Sequence, residues 1–328
     1  MNSLNLKYNY IICGAGDYYA YGYRDLFNVD YARYFEEQDD GFEMYLGRKI
    51  VRLCFSRQIN KFIKTPFSNY VFPRLFYHGF DEKKPLCYIF FYRHRVIFES
   101  SYLDFLRKQH PNIKFVLFLQ DIVEKYEDFD LIKLRSIFDL ILSYDKGDSE
   151  KYGFVYNTTP MSVVDVPLDD SLPESDIFFC GYAKTRYPLI FDIYNKCMSL
   201  GLRCDFNIML MPEGSQRVEG INYPPRRFTY QENIQHILKT KCILEIMQEG
   251  AKGFTPRLWE SIVYNKHLLT NNSEETNSEF YYKPGNHDIK CLEDGNFNKI
   301  IRDEISYPAE LKKKLSPINL LQCIDKLL

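Results

Sequence analysis

The sequence predicts an α/β protein of two domains, each with a parallel sheet between layers of helices. Short apolar runs that suit buried strands alternate with stretches of helical periodicity. Residues 164–175 interrupt this order with proline, acidic residues and serine, and the order restarts after them. We therefore expect an N-terminal domain over 1–168, a second domain over 169–310, and a final helix over 311–328 that packs back on the first domain.

Composition excludes several classes of protein. The net charge of −2 argues against a nucleic-acid partner held by overall positive potential. No apolar run reaches the roughly 18–20 residues that a membrane-spanning helix needs, and residues 1–9 are too polar for a signal peptide. The nine cysteines form no CxxC pair, which favours a reducing cytoplasm. Because the six histidines are scattered and the DxD of Asp128 and Asp130 lies in an acidic surface run, we expect no metal and no cofactor.

Four apolar runs predict the strands of the first domain. They lie at 8–13, 86–91, 114–119 and 139–143, and helices are predicted at 22–37 and near 98–109. The first run is followed by Gly14 and Gly16, but Tyr19 replaces the third glycine of a dinucleotide fingerprint. We therefore interpret this loop as a tight turn that brings backbone amides to a cleft.

Acidic residues follow three of these strands. Asp17 comes after the first strand, Asp121 after the third and Asp145 after the fourth. Side chains at the carboxyl ends of parallel strands face the ligand crevice of the sheet. We predict that Asp17 or Asp121 is a catalytic carboxylate, with Asp145 behind them. The alternative is that each of these acids caps a helix.

The segment 44–80 is basic, because it carries cations but no aspartate or glutamate. Interleaved apolar residues predict an amphipathic helix followed by a loop with Pro66 and Pro73. Such a surface can rest on an anionic membrane or face a lipid-linked phosphate; the alternative is a solvated basic face over a packed apolar side. The residues assigned to an acceptor or membrane surface are Arg48, Arg52, Lys61, Lys64, Arg93 and His94, the last two just after the strand 86–91.

A glycine loop with two cations follows the first strand of the second domain. The strand is predicted at 176–180 and the loop at 181–186. Gly181 lets the backbone approach a ligand, while Lys184 and Arg186 can neutralise a diphosphate without a metal.

The stretch 242–272 predicts a strand, a glycine loop, a helix and a second strand. Thr255 can cap the helix, whose first turn holds Pro256. A loop that leads from a parallel strand into a helix amino terminus is suited to bind an anion. Arg257 and Glu260 lie one turn apart on this helix, so both can reach one ligand. We predict that Arg257 meets a phosphate and that Glu260 accepts hydrogen bonds from ribose hydroxyls.

With these features the chain resembles the GT-B glycosyltransferases, and among them the bacterial enzymes that build capsule, lipopolysaccharide and other surface glycans. Members of that family have two Rossmann-like domains with parallel sheets facing a central cleft. The resemblance is greatest over 176–272. It implies that residues 181–186 hold the donor diphosphate and that Glu260 binds the ribose. It also implies that Gln248, Gly250, Gly253 and Thr255 line the sugar and the diphosphate.

One departure from the family pattern bears on the stereochemistry. Retaining members often carry two glutamates separated by seven residues. Here Lys252 occupies the position before Glu260 at that spacing, and Glu249 comes three residues too early. This departure argues against retention and favours inversion, in which a carboxylate of the first domain would be the base.

The resemblance implies a transferase that moves a sugar from a nucleotide-sugar donor, of the UDP type, to a hydroxyl of a glycan or lipid-linked glycan. It would act in the cytoplasm, or at the inner face of the membrane, without metal. Two alternatives stay open. One is a two-domain nucleotide-sugar epimerase, and the other is an inactive protein that binds nucleotide-sugars or glycans.

Overall fold

The computed structural model divides the chain into two units. Unit 1 comprises Met1–Ser162 and Leu315–Leu328, and unit 2 comprises Val163–Lys314. The structure describes residues 4–14, 16–36, 45–56, 58–76, 79–80, 83–92, 100–126, 129–209, 211, 214, 216–247 and 253–328, and of residues 17, 45, 46, 48, 100 and 275 the backbone alone. None of the helices formed by these residues is long and apolar enough to cross a membrane.

Unit 1 contains a sheet of six strands, and every pair in it is parallel. Its order is β2-β1-β3-β4-β5-β6. The strands are β1 (Asn9–Cys13), β2 (Ala32–Phe35), β3 (Leu86–Phe91), β4 (Lys114–Leu119), β5 (Leu140–Ser143) and β6 (Val155–Tyr156). The central strands are apolar throughout because helices cover both faces of a parallel sheet.

Helices connect these strands and pack on both faces of the sheet. They are α1 (Gly16–Gly22), α2 (Tyr45–Cys54), α3 (Ser68–Val71), α4 (Ser100–Gln109), α5 (Leu131–Ile137) and α6 (Lys146–Tyr152). Successive strand residues point to opposite faces. Ile11 and Phe90 therefore enter one buried cluster, while Tyr10 and Ile89 enter the other.

Unit 2 contains a second parallel sheet, of five strands in the order β11-β10-β9-β7-β8. The strands are β7 (Ser175–Tyr182), β8 (Cys204–Met209), β9 (Thr240–Glu245), β10 (His267–Thr270) and β11 (Asn286–Asp288). The helices are α7 (Tyr187–Ser199), α8 (Tyr230–Lys239), α9 (Pro256–Tyr264), α10 (Phe297–Ile300) and α11 (Ala309–Leu315). Two separate parallel sheets with helical layers confirm the predicted α/β class.

Local sequence sets the ends of the helices that matter for the site. Thr229 begins α8 in a capping box with Glu232. Thr255 begins α9 by accepting a hydrogen bond from the amide of Arg257, and Pro256 occupies the first turn, where its missing N–H costs nothing. Asn265 ends α9 in the left-handed conformation that stops a helix.

The last helix, α12 (Pro317–Leu327), belongs to unit 1. Leu320, Leu321 and Ile324 enter the same buried cluster as Tyr10. Asp325 accepts hydrogen bonds from the Tyr10 hydroxyl at 3.0 Å and from the Lys7 amide at 2.7 Å. The units divide at 162 and 314, a few residues from the expected boundaries at 168 and 310.

One expectation about unit 1 is wrong. The helix predicted at 22–37 gives way to an edge strand, because Ala32–Phe35 pairs with β1. The amphipathic helix predicted in the basic segment is present as α2 and ends at Cys54. In the DxD motif, Asp130 caps α5 by accepting a hydrogen bond from the Lys133 amide at 3.0 Å. Asp128 lies outside the described residues.

Candidate donor and acceptor sites

The candidate donor site lies where β7 and β9 of unit 2 end. Parallel neighbours end at the same edge of a sheet, so the segments that follow them are adjacent. Gly181 is the last residue but one of β7, and a side chain there would approach the Phe179 ring to 3.3 Å. Gly253 lies two residues before the cap residue Thr255, and its carbonyl oxygen accepts a hydrogen bond from Asn272 Nδ2 at 2.8 Å. Gln248 and Gly250 lie outside the described residues.

Arg257 and Glu260 bind each other in this structure. Arg257 Nη1 donates to Glu260 Oε2 at 3.0 Å, and Nη2 donates to the carbonyl oxygen of Cys180 at 2.6 Å. The interaction ties the first turns of α9 to the end of β7. Arg257 was expected to meet a phosphate directly, but its outer nitrogens already have partners inside the unit.

Glu260 is fully buried, at 0% exposure. Its Oε1 accepts a hydrogen bond from Asn233 Nδ2 at 3.1 Å, and Tyr230 also hydrogen-bonds the carboxylate. Burial raises the pKa of Glu260, while Arg257 and these hydrogen bonds oppose the rise. The predicted contact with ribose hydroxyls stays a prediction; in this structure the carboxylate faces the interior and holds α8 and α9 together.

Arg186 ties β7 to the segment after β9. Nη1 donates to the carbonyl oxygen of Ile246, and Nη2 donates to that of Tyr182 at 2.5 Å. Burial and the charge of Arg257 lower the pKa of Arg186. Its buried Nε has no hydrogen-bond partner among the described residues. Two guanidinium groups thus concentrate positive charge at this edge, with Glu260 the only carboxylate that pairs with either in the described part of the chain.

Lys184 is the exposed cation of this edge. It sits in the left-handed region at a φ of +46°, where a side chain costs roughly 1–3 kcal/mol and where strain is often found at functional sites. Among the described residues its ammonium has no ion-pair or hydrogen-bond partner. An anion arriving at the end of β7 can therefore be bound by Lys184 without breaking an existing interaction.

Glu245 is a buried carboxylate that the sequence analysis missed. It ends β9 and accepts hydrogen bonds from the hydroxyls of Thr255 and, at 2.5 Å, Thr270. The Thr255 hydroxyl was expected to line the sugar, but it is already donated to Glu245. A glutamate inside the otherwise apolar run 242–247 was the signal available in the sequence.

Asp121 is one of two acidic candidates in unit 1 whose side chains the structure describes. It follows β4, and Oδ1 accepts hydrogen bonds from Lys125 Nζ at 2.8 Å and from the Ile122 amide at 3.0 Å. Burial, and then the charges of Asp121 and Asp145, raise the pKa of Tyr144. This carboxylate therefore lies near a phenol that keeps its proton, at the carboxyl edge of the sheet.

The other acidic candidates differ from Asp121. Asp145 caps α6 by accepting a hydrogen bond from the Asp148 amide at 2.8 Å, which is the alternative role considered for it. Asp17 lies in the first turn of α1, and its side chain is outside the described atoms.

Of the cations assigned to an acceptor or membrane surface, the structure describes three side chains. Arg52, Lys61 and Lys64 are all exposed. The Arg48 side chain, Arg93 and His94 lie outside the described part of the chain. In that part, no group of three or more histidine, cysteine, aspartate or glutamate residues is placed to hold a metal ion.

Solved structures with the same fold identify the class of architecture. Trehalose-6-phosphate synthase OtsA matches with a TM-score of 0.52 and 11% identity, over 95% of this chain and 84% of that one. An α-glucosyltransferase in complex with UDP and a mismatched 13-mer DNA matches with a TM-score of 0.50 and 11% identity, over 97% and 93%. No protein-family model and no curated protein matches the chain.

The chain therefore has the GT-B fold, as its resemblance to that family predicted. At 11% identity the likeness establishes the fold alone. What the protein does must be argued from its own residues.

Proposed function

We propose that the protein is a glycosyltransferase that uses a nucleoside-diphosphate sugar, of the UDP type. The observation that carries this proposal is the cationic edge of unit 2, where Lys184, Arg186 and Arg257 surround the ends of β7 and β9. Transfer of a sugar leaves a nucleoside diphosphate, whose developing charge must be stabilised. Fixed guanidinium groups and an exposed ammonium supply that stabilisation on a GT-B scaffold.

Each cation has a distinct part in the proposal. Lys184 contacts the diphosphate directly, because its ammonium is exposed. Arg186 and Arg257 do not contact the diphosphate but act on it through their charge, since their outer nitrogens donate to backbone carbonyls at 2.5–2.6 Å. They keep the edge positive and rigid, which is the preorganisation that favours a charged leaving group. No metal is required in this scheme.

The acceptor is proposed to be a hydroxyl of a glycan or of a lipid-linked glycan, in the synthesis of a surface polysaccharide. Asp121 is the proposed base of an inverting transfer, with Asp17 as the second candidate. A carboxylate at that position removes the hydroxyl proton as the new bond forms. The proposed location is the cytoplasm, at the inner face of the membrane that carries the acceptor.

The test is to titrate the protein with UDP, UDP-sugars and other nucleoside diphosphates by calorimetry, with and without EDTA. We expect UDP binding that EDTA leaves unchanged, and hydrolysis of one UDP-sugar that Asp121→Asn slows. Lys133→Gln, on the surface of unit 1, is the control variant. Failure of every nucleoside diphosphate to bind would overturn the proposal. Conversion of the donor to its epimer without acceptor would assign the epimerase alternative.

A further inference from the structure

Exposed apolar side chains are concentrated in one short segment of unit 1. Eleven large apolar side chains are exposed in the described part of the chain, and five of them fall between Leu53 and Tyr70. Phe62 is 89% exposed, Ile63 62% and Phe67 58%. Single exposed apolar residues are ordinary, but a contiguous group marks a surface that meets another apolar phase.

This segment is folded against the core on its other side. Val51 and Cys54 of α2 are buried in the unit 1 core, and so are Val71 and Phe72 at the end of α3. The inward positions are therefore already filled by other apolar residues. Phe62 and Ile63 form a second apolar set, which points to the solvent and is not part of the core.

Hydrogen bonds hold the outward loop in shape. Asn60 Nδ2 donates to the carbonyl of Cys54 at 3.0 Å, and Asn60 Oδ1 accepts from the Thr65 amide at 3.1 Å. Thr65 and Phe67 adopt φ values of +42° and +64°, which residues with side chains rarely adopt. A side-chain clamp and two left-handed residues thus bring Phe62 and Ile63 to the surface together.

Cations lie next to these apolar residues along the segment. Lys61 and Lys64 flank Phe62 and Ile63 directly, and both are exposed. The Arg74 guanidinium lies 4.4 Å from the centre of the exposed Tyr70 ring. Residues 44–80 contain no aspartate or glutamate, so no acidic side chain of the segment offsets this charge.

We propose that residues 53–56 and 58–74 form a docking face for an anionic lipid bilayer, with Phe62 and Ile63 inserted at the headgroup level. The lysines beside them would lie among the lipid phosphates. Apolar residues flanked by lysines suit a bilayer interface, whereas the centre of a protein interface is depleted in lysine. The proposal stands independently of the proposed transfer reaction, because binding is measured without sugar nucleotide.

The first test is flotation with vesicles of phosphatidylglycerol and phosphatidylcholine at several salt concentrations. Lys61→Gln/Lys64→Gln should weaken binding by roughly thirtyfold, since each cation contributes about fivefold at such a surface. Phe62→Ser/Ile63→Ser should also lose binding. The matched controls are Ile132→Ser, which removes a side chain 86% exposed on α5, and Lys108→Gln/Lys133→Gln, which removes two exposed lysines elsewhere in unit 1.

The second test measures insertion itself. Phe62→Trp should shift its emission to the blue on anionic vesicles and be quenched by brominated lipids, whereas Ile132→Trp should show neither effect. The native Trp259 is buried and gives a constant background.

Three results would overturn the proposal. They are equal binding to neutral vesicles, binding that neither double variant weakens, and an unchanged Phe62→Trp spectrum. A wild-type dimer in sedimentation that Phe62→Ser/Ile63→Ser makes monomeric would assign the face to a second copy instead.

Discussion

Lys184 combines backbone strain with a free charge at the end of β7. Its φ of +46° is easy for glycine and costly for lysine. Lysine at this position therefore lowers stability and places an exposed ammonium at the end of β7. We interpret that ammonium as a contact for a bound anion.

We predict that Lys184→Gly weakens UDP binding without lowering the stability of unit 2. Relief of strain should keep the free energy of unfolding of unit 2 unchanged or raise it by up to about 1 kcal/mol. Loss of the ammonium should weaken UDP binding roughly tenfold. Calorimetry and urea unfolding measure the two effects, and Lys283→Gly, at an exposed position of the same unit, is the control. Unchanged UDP affinity would show that the strained lysine does not contact the donor.

The pair of Arg257 and Glu260 should behave as a buried ion pair. Glu260→Ala leaves the Arg257 guanidinium without its carboxylate and should destabilise unit 2 by about 3–5 kcal/mol. Arg257→Met/Glu260→Met removes both charges and should recover most of that loss. Trp259, the single tryptophan of the chain, lies beside Glu260 and reports unfolding of unit 2 by fluorescence. A decrease of less than about 1 kcal/mol in the free energy of unfolding for Glu260→Ala would argue against a structural ion pair and would favour the predicted ribose contact.

A pair of histidines joins the edge strand β11 to its neighbour β10. His267 Nε2 donates to the carbonyl of Asp303 at 2.9 Å, so the neutral ring accepts at Nδ1 from His287 Nε2 at 3.0 Å. Burial and His267 lower the pKa of His287 to about 4, and burial lowers that of His267. The folded state therefore favours the neutral rings.

We predict that unit 2 loses stability as pH falls from about 6.5 to 4. The unfolded chain binds protons first, because its histidines keep their ordinary pKa, so the stabilisation is complete above that window and declines within it. The decline due to His287 should reach about 3 kcal/mol at most. His287→Gln should reduce it, and His110→Gln in unit 1 should not, by Trp259 fluorescence in urea. Equal pH dependence in all three proteins would contradict the prediction.

The strands that the sequence predicted well are those buried on both faces. β3 and β4 were predicted to the residue, since a continuous apolar run has few other ways to be buried. The missed strands, β2, β6 and β11, are three of the four edge strands. They are short and carry polar residues such as Arg33 and His287, because one side of an edge strand has no neighbour to pack against.

At the scale of the whole molecule, the architecture was more predictable than the site. Spacing on a helix shows that Arg257 and Glu260 reach the same place, but it does not show that they reach each other. That outcome depends on Cys180 and Asn233, from two other elements. Likewise, Thr255 was recognised as a cap, while its partner Glu245 comes from a neighbouring strand. Tertiary partners of polar side chains are what a single sequence leaves undetermined.

The return of α12 to unit 1 predicts that the units respond separately to core substitutions. Leu321 is fully buried in the cluster that contains Tyr10. Leu321→Ala should lower the free energy of unfolding of unit 1 by about 2–5 kcal/mol through lost burial and a cavity. The midpoint of the unit 2 transition, followed by Trp259 fluorescence, should stay unchanged. The midpoint of the unit 1 transition in circular dichroism should fall to a lower urea concentration. A shift of both transitions together would show that the units unfold as one.

That return also sets an order of events on the ribosome. Residues 315–328 are synthesised after all of unit 2, yet they cover one apolar face of the unit that was made first. Unit 2 has every residue it needs before α12 emerges, so it can fold while unit 1 still exposes the face that receives Leu320, Leu321 and Ile324. Partly folded chains with such a face exposed are prone to aggregate. The unit synthesised first is thus the last to be completed, and in the interval it is the natural substrate for a chaperone.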